Sequence, residues 1–143
     1  MTRQPTPREE AYTWHANALK GVYGDPIEYN PDDPKPGWYQ RRLVKDGVYV
    51  PVRIWIDSDV DIGTGELLEQ ERLLCEVNGE RVDAQEQWSH VCHHPISEDE
   101  FRYLTELSAF VRVHEPNHPL ANPTKPVDWL TVPLKFNLEK TNG

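Results

Sequence analysis

The sequence predicts an α+β domain: two β-hairpins form a small antiparallel sheet, with one helix before the sheet and one after it. Two turn dipeptides, Asp46-Gly47 and Asn78-Gly79, each separate runs rich in β-forming residues. After Ser97, apolar residues recur at helical spacing. The 143 residues suit a single domain. We therefore expect one domain over residues 1–143, with a sheet small enough to curl into a barrel-like form.

The N-terminal segment 8–20 is predicted to be a helix. It follows Pro7 and begins with two glutamates, which favour a helix N-terminus. Trp14 and Ala18 then recur at helical spacing. Residues 24–37 contain four prolines and are expected to form an extended connector, because proline donates no backbone hydrogen bond.

The first hairpin, within the predicted sheet region 38–84, is centred on Asp46-Gly47. Valine and isoleucine alternate from Val48 to Ile56, so this side of the strand is expected to cover the core. Pro51 indicates an edge strand or a bulge, since it cannot donate to a ladder. A two-residue turn sets the register on the opposite side, pairing Trp38 with Trp55 and Gln40 with Arg53.

The second hairpin is centred on Asn78-Gly79. Its expected register pairs Glu76 with Arg81 on one face, and on the other pairs Val77 with Glu80, Cys75 with Val82 and Leu73 with Ala84.

The C-terminal part of the chain is predicted to hold a second helix and an extended tail. Ser97 and Glu100 match a capping box, so the helix is expected over residues 97–114. Residues 116–143 are rich in proline but also strongly apolar near their end, so this tail is expected to wrap back onto the body. Its apolar residues are Trp129, Leu130, Val132, Leu134 and Phe136.

Acidic residues dominate the chain, whose formal net charge is −9, and they concentrate in residues 57–100. An acidic surface repels nucleic acid and attracts basic proteins, so this stretch is a candidate protein-binding surface. The alternative is a solvated face that keeps the domain soluble. The candidate residues are Glu66, Glu69, Glu71, Glu76 and Glu80.

The reverse face of the first hairpin is the candidate ligand-binding site. Indole rings can stack on planar groups, and guanidinium groups form two-pronged contacts with anions. A nucleotide, a single-stranded nucleic acid or a peptide would suit such a face. The alternative is that a helix or the tail covers the face as a second apolar layer. The candidate residues are Trp38, Gln40, Arg42, Tyr49, Arg53 and Trp55.

Metal binding has only weak support in the sequence. Asp57, Asp59 and Asp61 resemble the start of a calcium loop, but Ile62 and Leu68 stand where that loop requires glycine and glutamate. A second cluster, His90, Cys92 and His94, offers zinc ligands at a spacing that matches no standard site. We therefore expect neither a metal nor a cofactor.

No catalytic motif is present, and the only candidate nucleophile and base are Cys92 and the neighbouring His93 and His94. The chain is therefore expected not to be an enzyme. It also lacks an apolar run long enough to span a bilayer and a signal peptide, so we expect a cytoplasmic protein without a membrane partner.

Four stretches, PGWYQRRLV (36–44), PVRIW (51–55), HPISEDE (94–100) and NPTKPVDW (122–129), resemble small uncharacterised proteins encoded by tailed phages and prophages of proteobacteria. The resemblance carries no catalytic residue. It implies a bacterial host cytoplasm and an accessory protein that binds and modulates a host or phage protein, such as an anti-defence inhibitor. Binding of a nucleotide or nucleic acid and a role as a virion or assembly component are the alternatives.

Overall fold

The computed structural model describes residues 4–22 and 30–128, and these form an α+β fold, as predicted. Four strands make one open antiparallel sheet in the order β1-β2-β3-β4, and the described residues do not close it into a barrel. The strands are β1 (Gly37–Arg42), β2 (Tyr49–Asp57), β3 (Arg72–Val77) and β4 (Glu80–Val82). The helices are α1 (Arg8–Ala11), α2 (Thr13–Val22), α3 (Ala84–Val91) and α4 (Glu98–His114), followed by a 3-10 turn at Pro119–Ala121.

The register of the first hairpin differs from the predicted one by two residues. Trp38 lies opposite Arg53, and Gln40 lies opposite Pro51. The connection is longer than a two-residue turn: β1 ends at Arg42, β2 begins at Tyr49, and Gly47 N donates to Val44 O at 3.0 Å. Because a shift of two residues preserves the alternation, each side chain remains on its predicted face.

Pro51 lies in an interior strand, so the predicted edge strand or bulge is wrong. β2 pairs with both β1 and β3. Opposite Pro51, the Gln40 amide points outward and donates to His94 O, so β1 requires no donor from the proline. On the other side Asn78 N donates to Pro51 O at 2.8 Å, where β3 gives way to its turn. The proline therefore stands where the loss of its N–H costs the ladder little.

The second hairpin confirms most of its predicted register. Cys75 pairs with Val82, Glu76 with Arg81 and Val77 with Glu80. Asn78 and Gly79 both have positive φ, 52° and 86°, as a tight primed turn requires. The predicted pairing of Leu73 with Ala84 is wrong, because β4 ends at Val82 and α3 begins at Ala84.

Helix α3 was not predicted from the sequence. The Asp83 carboxylate begins it by accepting hydrogen bonds from Gln85 N at 2.7 Å and Glu86 N at 3.4 Å. Trp88 and Val91 of this helix are fully buried against the sheet. The other members of this core are Tyr39, Val50, Val52, Ile54, Cys75, Val77, Ala84 and Cys92.

Helix α4 contacts β1 and β2 and lies on the face opposite α3, where its side chains border Pro51 and Arg53. Its predicted Ser97 cap is confirmed, since Glu100 N donates to Ser97 Oγ at 3.1 Å. Glu100 Oε1 accepts from the Ser97 hydroxyl at 3.2 Å, and the return bond from Ser97 N that completes a capping box is absent among the described residues.

The segment between α3 and α4 covers the outer edge of β1. Gln40 N donates to His94 O and Ile96 N donates to Trp38 O, each at 3.0 Å. Unpaired strand edges invite association with other chains, and this segment removes that exposure from β1.

Two predicted segments lie partly outside the described residues. Of the connector 24–37, residues 24–29 are outside. Of the tail 116–143, residues 129–143, which hold all five apolar residues named above, are outside. Within the described part of the tail, Val127 N donates to Asp46 O at 2.9 Å, which joins the tail to the tip of the first hairpin.

Candidate functional site

The N-terminal helices lie across the beginning of β1 and cover Trp38. The Tyr12 ring stacks on the Trp38 ring with centroids 4.9 Å apart and planes inclined by 24°. The Arg8 guanidinium lies 5.1 Å from the Tyr12 centroid and 5.7 Å from the Trp38 centroid. At Trp38 the reverse face of the hairpin is therefore covered by a second layer, which was the stated alternative to a ligand-binding face.

His15 fixes this arrangement from inside the protein. Its side chain is buried, and Nε2 donates to the carbonyl oxygens of Trp38 at 2.8 Å and Ile96 at 2.9 Å. Because both partners are acceptors, Nε2 must carry a proton. Burial lowers the pKa of the imidazole, which favours the neutral ring. One side chain thus ties α2 to β1 and to the segment that precedes α4.

Trp55 lies diagonally from Trp38 and contacts two arginines. The Arg53 guanidinium is 4.4 Å from the Trp55 ring centroid, and that of Arg81 is 5.3 Å away. Both contacts are within the range of a cation–π interaction. Among the described residues, neither arginine forms an ion pair with a carboxylate.

The remaining predicted ligand-binding residues lie apart from this pair. The Arg42 guanidinium is 4.7 Å from the Tyr49 ring centroid, towards the hairpin tip. Gln40 borders a separate depression, together with Tyr103 and Leu104 on the other flank of α4. The structure therefore divides the six predicted residues, and only Trp38, Arg53 and Trp55 lie close together.

A groove between α1, the sheet and α4 is lined by Trp38 and Arg53 of the predicted ligand-binding face and by other residues that were not predicted from the sequence. Its volume is about 400 Å³. Glu98 lies between two arginines, 3.8 Å from Arg8 Nη2 and 3.7 Å from Arg102 Nη2. Aromatic rings and guanidinium groups thus share one concave surface. The lining residues are Arg8, Tyr12, Trp38, Arg53, Glu98, Phe101, Arg102, Thr105 and Glu106.

The groove continues along α4 into a smaller depression of about 130 Å³, and Phe101 and Thr105 border both. Glu76 and Arg112 lie at the far end. Ser108 also borders this depression, and its hydroxyl is buried with no hydrogen-bond partner among the described residues. A buried unpaired hydroxyl is costly, so a bound group that reached it would gain a hydrogen bond.

The sequence spacing of some groove residues that were not predicted indicates which of them are neighbours on a helix. Arg8 and Tyr12, like Glu98 and Arg102, are four residues apart and therefore neighbours on a helix surface. The approach of the two helices to one side of the sheet is a tertiary contact, and no local pattern encodes it.

The five candidate glutamates of the acidic stretch are dispersed. Glu71 accepts hydrogen bonds from Thr6 N at 2.9 Å and from Ser58 Oγ at 3.2 Å. Glu76 is on the sheet face that carries Arg81, and Glu80 is on the opposite face. Glu66 and Glu69 belong to the connection between β2 and β3. The five side chains therefore do not form one sheet face.

Two of the three aspartates that resemble a calcium loop, Asp57 and Asp61, bind other groups of the protein through their carboxylates. Asp57 Oδ2 lies 2.9 Å from Arg72 Nη2, and Asp61 Oδ1 accepts hydrogen bonds from Gly63 N and Thr64 N. Within residues 4–22 and 30–128, no three histidine, cysteine or acidic side chains lie close enough together to hold a metal ion.

The cysteines are core residues. Cys75 and Cys92 are both buried and free. Burial raises the pKa of the Cys75 thiol to about 12, and it also raises the pKa of the Cys92 thiol. A raised pKa keeps a thiol protonated, which is the opposite of what a nucleophilic cysteine needs.

Comparisons with protein-family models, curated proteins and solved structures find no match to this chain. In the described parts of the chain, no helix is both long and apolar enough to cross a membrane.

Proposed function

We propose that this chain is a non-enzymatic, phage-type accessory protein that binds a host or phage protein by holding an extended acidic segment of it in the groove. The observation that carries the proposal is the convergence of Arg8, Arg53 and Arg102 beside aromatic rings, in a chain whose net charge is −9. Where the partner is a bacterial defence protein, the chain acts as an anti-defence inhibitor.

Charge complementarity favours an acidic partner segment. Arg53 of the groove lies 4.4 Å from the Trp55 ring centroid and pairs with no carboxylate among the described residues, so its N–H groups can bind carboxylates of a partner. Exposed ion pairs contribute about 0–1 kcal/mol each. The partner segment therefore needs several carboxylates and apolar side chains that pack on Tyr12 and Phe101.

The shape of the groove favours an extended segment over a compact ligand. It runs beside α4 from Arg8 to the depression that contains Ser108. An extended backbone presents a donor and an acceptor at each residue, so it can supply the partner that the Ser108 hydroxyl lacks.

A nucleotide or nucleic acid stacked on the tryptophans is less favoured. Tyr12 already stacks on Trp38, and Trp55 already contacts two guanidinium groups. A base would have to displace one of these contacts.

A peptide titration followed by NMR tests the proposed groove. The probe is a peptide that alternates glutamate with leucine or phenylalanine, and the control replaces each glutamate with lysine. We expect the acidic peptide to shift the indole N–H resonances of Trp38 and Trp55. Trp88 serves as an internal reference, because it is fully buried on the other face and its Nε1 donates to Asn30 O at 2.8 Å.

The same titration has outcomes that contradict the proposal. Equal shifts with the lysine peptide would show that charge does not select the partner. Shifts with nucleotides but not with the acidic peptide would favour the nucleotide-binding alternative. Recovery of the chain in purified phage particles, without acidic-peptide binding, would favour an assembly component.

A further inference from the structure

The flank of α4 that faces away from the groove carries an exposed apolar strip. Tyr103, Phe110 and Val113 are 66%, 53% and 74% exposed. Phe110 and the buried Val111 are consecutive and so point in different directions from the helix, and Phe110 is on the exposed side. Tyr103 borders a depression with Leu104 and Ile96, whereas Phe101 and Thr105 border the groove. Tyr103, Phe110 and Val113 therefore do not line the groove, although the neighbouring Glu106 borders it.

The spacing along this strip matches the seam between two paired helices. Asp99, Tyr103, Glu106, Phe110 and Val113 are separated alternately by four and three residues. Alternating steps of four and three residues place side chains along the seam of a helix that coils around a partner helix.

Charge at the two ends of α4 makes the helix complementary to a reversed copy of itself. On the side of the strip, the first turn contains Asp99 and Glu100 and the last turn contains His114, whereas Glu98 and Arg112 border the groove and its continuation. An antiparallel pair would bring each acidic end beside a basic end and would align the helix dipoles favourably. A parallel pair would place like charges together.

We propose that α4 pairs antiparallel with α4 of a second copy of this chain and so forms a two-fold symmetric dimer. Tyr103 then lies opposite Phe110 of the second copy, and Asp99 lies opposite His114 of the second copy. Each contact occurs twice, as a closed two-fold interface requires. This inference does not depend on the proposed groove function.

The exposed area fits the centre of a modest interface. Scaling typical side-chain areas by the exposed fractions gives roughly 350 Å² of surface per copy from Tyr103, Phe110 and Val113. A standard interface buries roughly 800 Å² per partner, so the strip would supply a little under half of it. The remainder would come from the charged residues around it, and the dimer is expected to be reversible.

Glu106 provides a separate test of the proposed dimer. It is close to the midpoint between Tyr103 and Phe110, so the two copies bring their Glu106 carboxylates near the two-fold axis. Like charges in such positions oppose association. The variant Glu106→Gln should therefore strengthen the dimer about two- to fivefold, although it removes a charge from the surface.

Sedimentation velocity over a wide concentration range tests the dimer. We expect reversible dimerisation of the full chain, weakened more than tenfold by Phe110→Asp. The matched control is Ala109→Asp, which introduces the same charge on the flank that borders the groove. A chain that stays monomeric at every concentration would overturn the proposal, as would equal dimerisation of the wild type and Phe110→Asp.

Disulfide trapping tests the antiparallel register and distinguishes it from other contacts. Proteins carrying Tyr103→Cys and Phe110→Cys are mixed and oxidised mildly, while the buried Cys75 and Cys92 stay protected. We expect the mixed disulfide to exceed twice the amount of either single-variant disulfide, which is the ratio that random pairing of an equal mixture gives. Predominance of either single-variant product would overturn the register.

Discussion

The His15 ring packs directly against Gly37 and holds two segments of the chain together. A methyl group added at Gly37 would lie 2.6 Å from His15 Cγ and 2.8 Å from His15 Cβ. The histidine in turn hydrogen-bonds to two carbonyl oxygens that belong to different segments. The glycine is therefore required by the approach of the ring and not by an unusual backbone angle.

Gly37→Ala is expected to destabilise the protein by about 1–3 kcal/mol, because the added methyl group must displace a buried ring. Urea denaturation measures the change. Gly63→Ala is the control, since that glycine is exposed and its added methyl group would meet only the Asp61 side chain. An equal effect of the two substitutions would contradict the role assigned to the contact.

His15 should also make stability depend on pH. Burial lowers the pKa of its imidazole below the ordinary value of 6.5. The unfolded chain then binds a proton that the folded chain does not, so the contribution is fully present above about pH 6.5 and is lost as the pH falls. Burial also lowers the pKa of His94, with the same sign.

Urea denaturation between about pH 5 and about pH 8 measures this dependence. We expect the free energy of unfolding to decrease towards acid pH, and His15→Gln to reduce the slope while His94 retains part of it. An unchanged slope in the variant would show that His15 does not titrate with folding.

At the scale of elements, local signals in the sequence predicted some features well and others poorly. The Asn78-Gly79 turn and the Ser97 cap act over three or four residues, and both formed as expected. The first hairpin shifted by two residues because its turn lies within a longer connection that also contacts the tail. Helix α3 was missed, although Asp83 is a suitable cap for it.

The Asp83 cap provides a test at this scale. Asp83→Ala should destabilise the protein by about 1 kcal/mol, because the first amides of α3 lose their acceptor. Asp83→Asn should retain most of the stability, since asparagine caps helices as well as aspartate does. Thermal unfolding of both variants measures the difference. Equal losses would indicate that charge, and not capping, is what Asp83 contributes.

At the scale of the whole molecule, the candidate site depends on contacts that no short stretch of sequence specifies. The alternation of β2 correctly placed Arg53 and Trp55 on one face. The groove itself exists because α1 and α4 approach that face from distant parts of the chain. The sequence therefore predicted the sheet residues of the groove, Trp38 and Arg53, and did not predict the helical residues that line its sides.

The most direct test of the proposed function is quantitative co-purification of partners, with matched charge variants, from the bacterial host that the proposal implies. Arg8→Gln/Arg53→Gln removes two groove cations, and Lys20→Gln/Lys45→Gln removes two exposed cations that do not border the groove. We predict a stoichiometric protein partner that the wild type and the lysine variant retain and that the arginine variant loses. Equal retention by both variants would contradict the groove as the binding site.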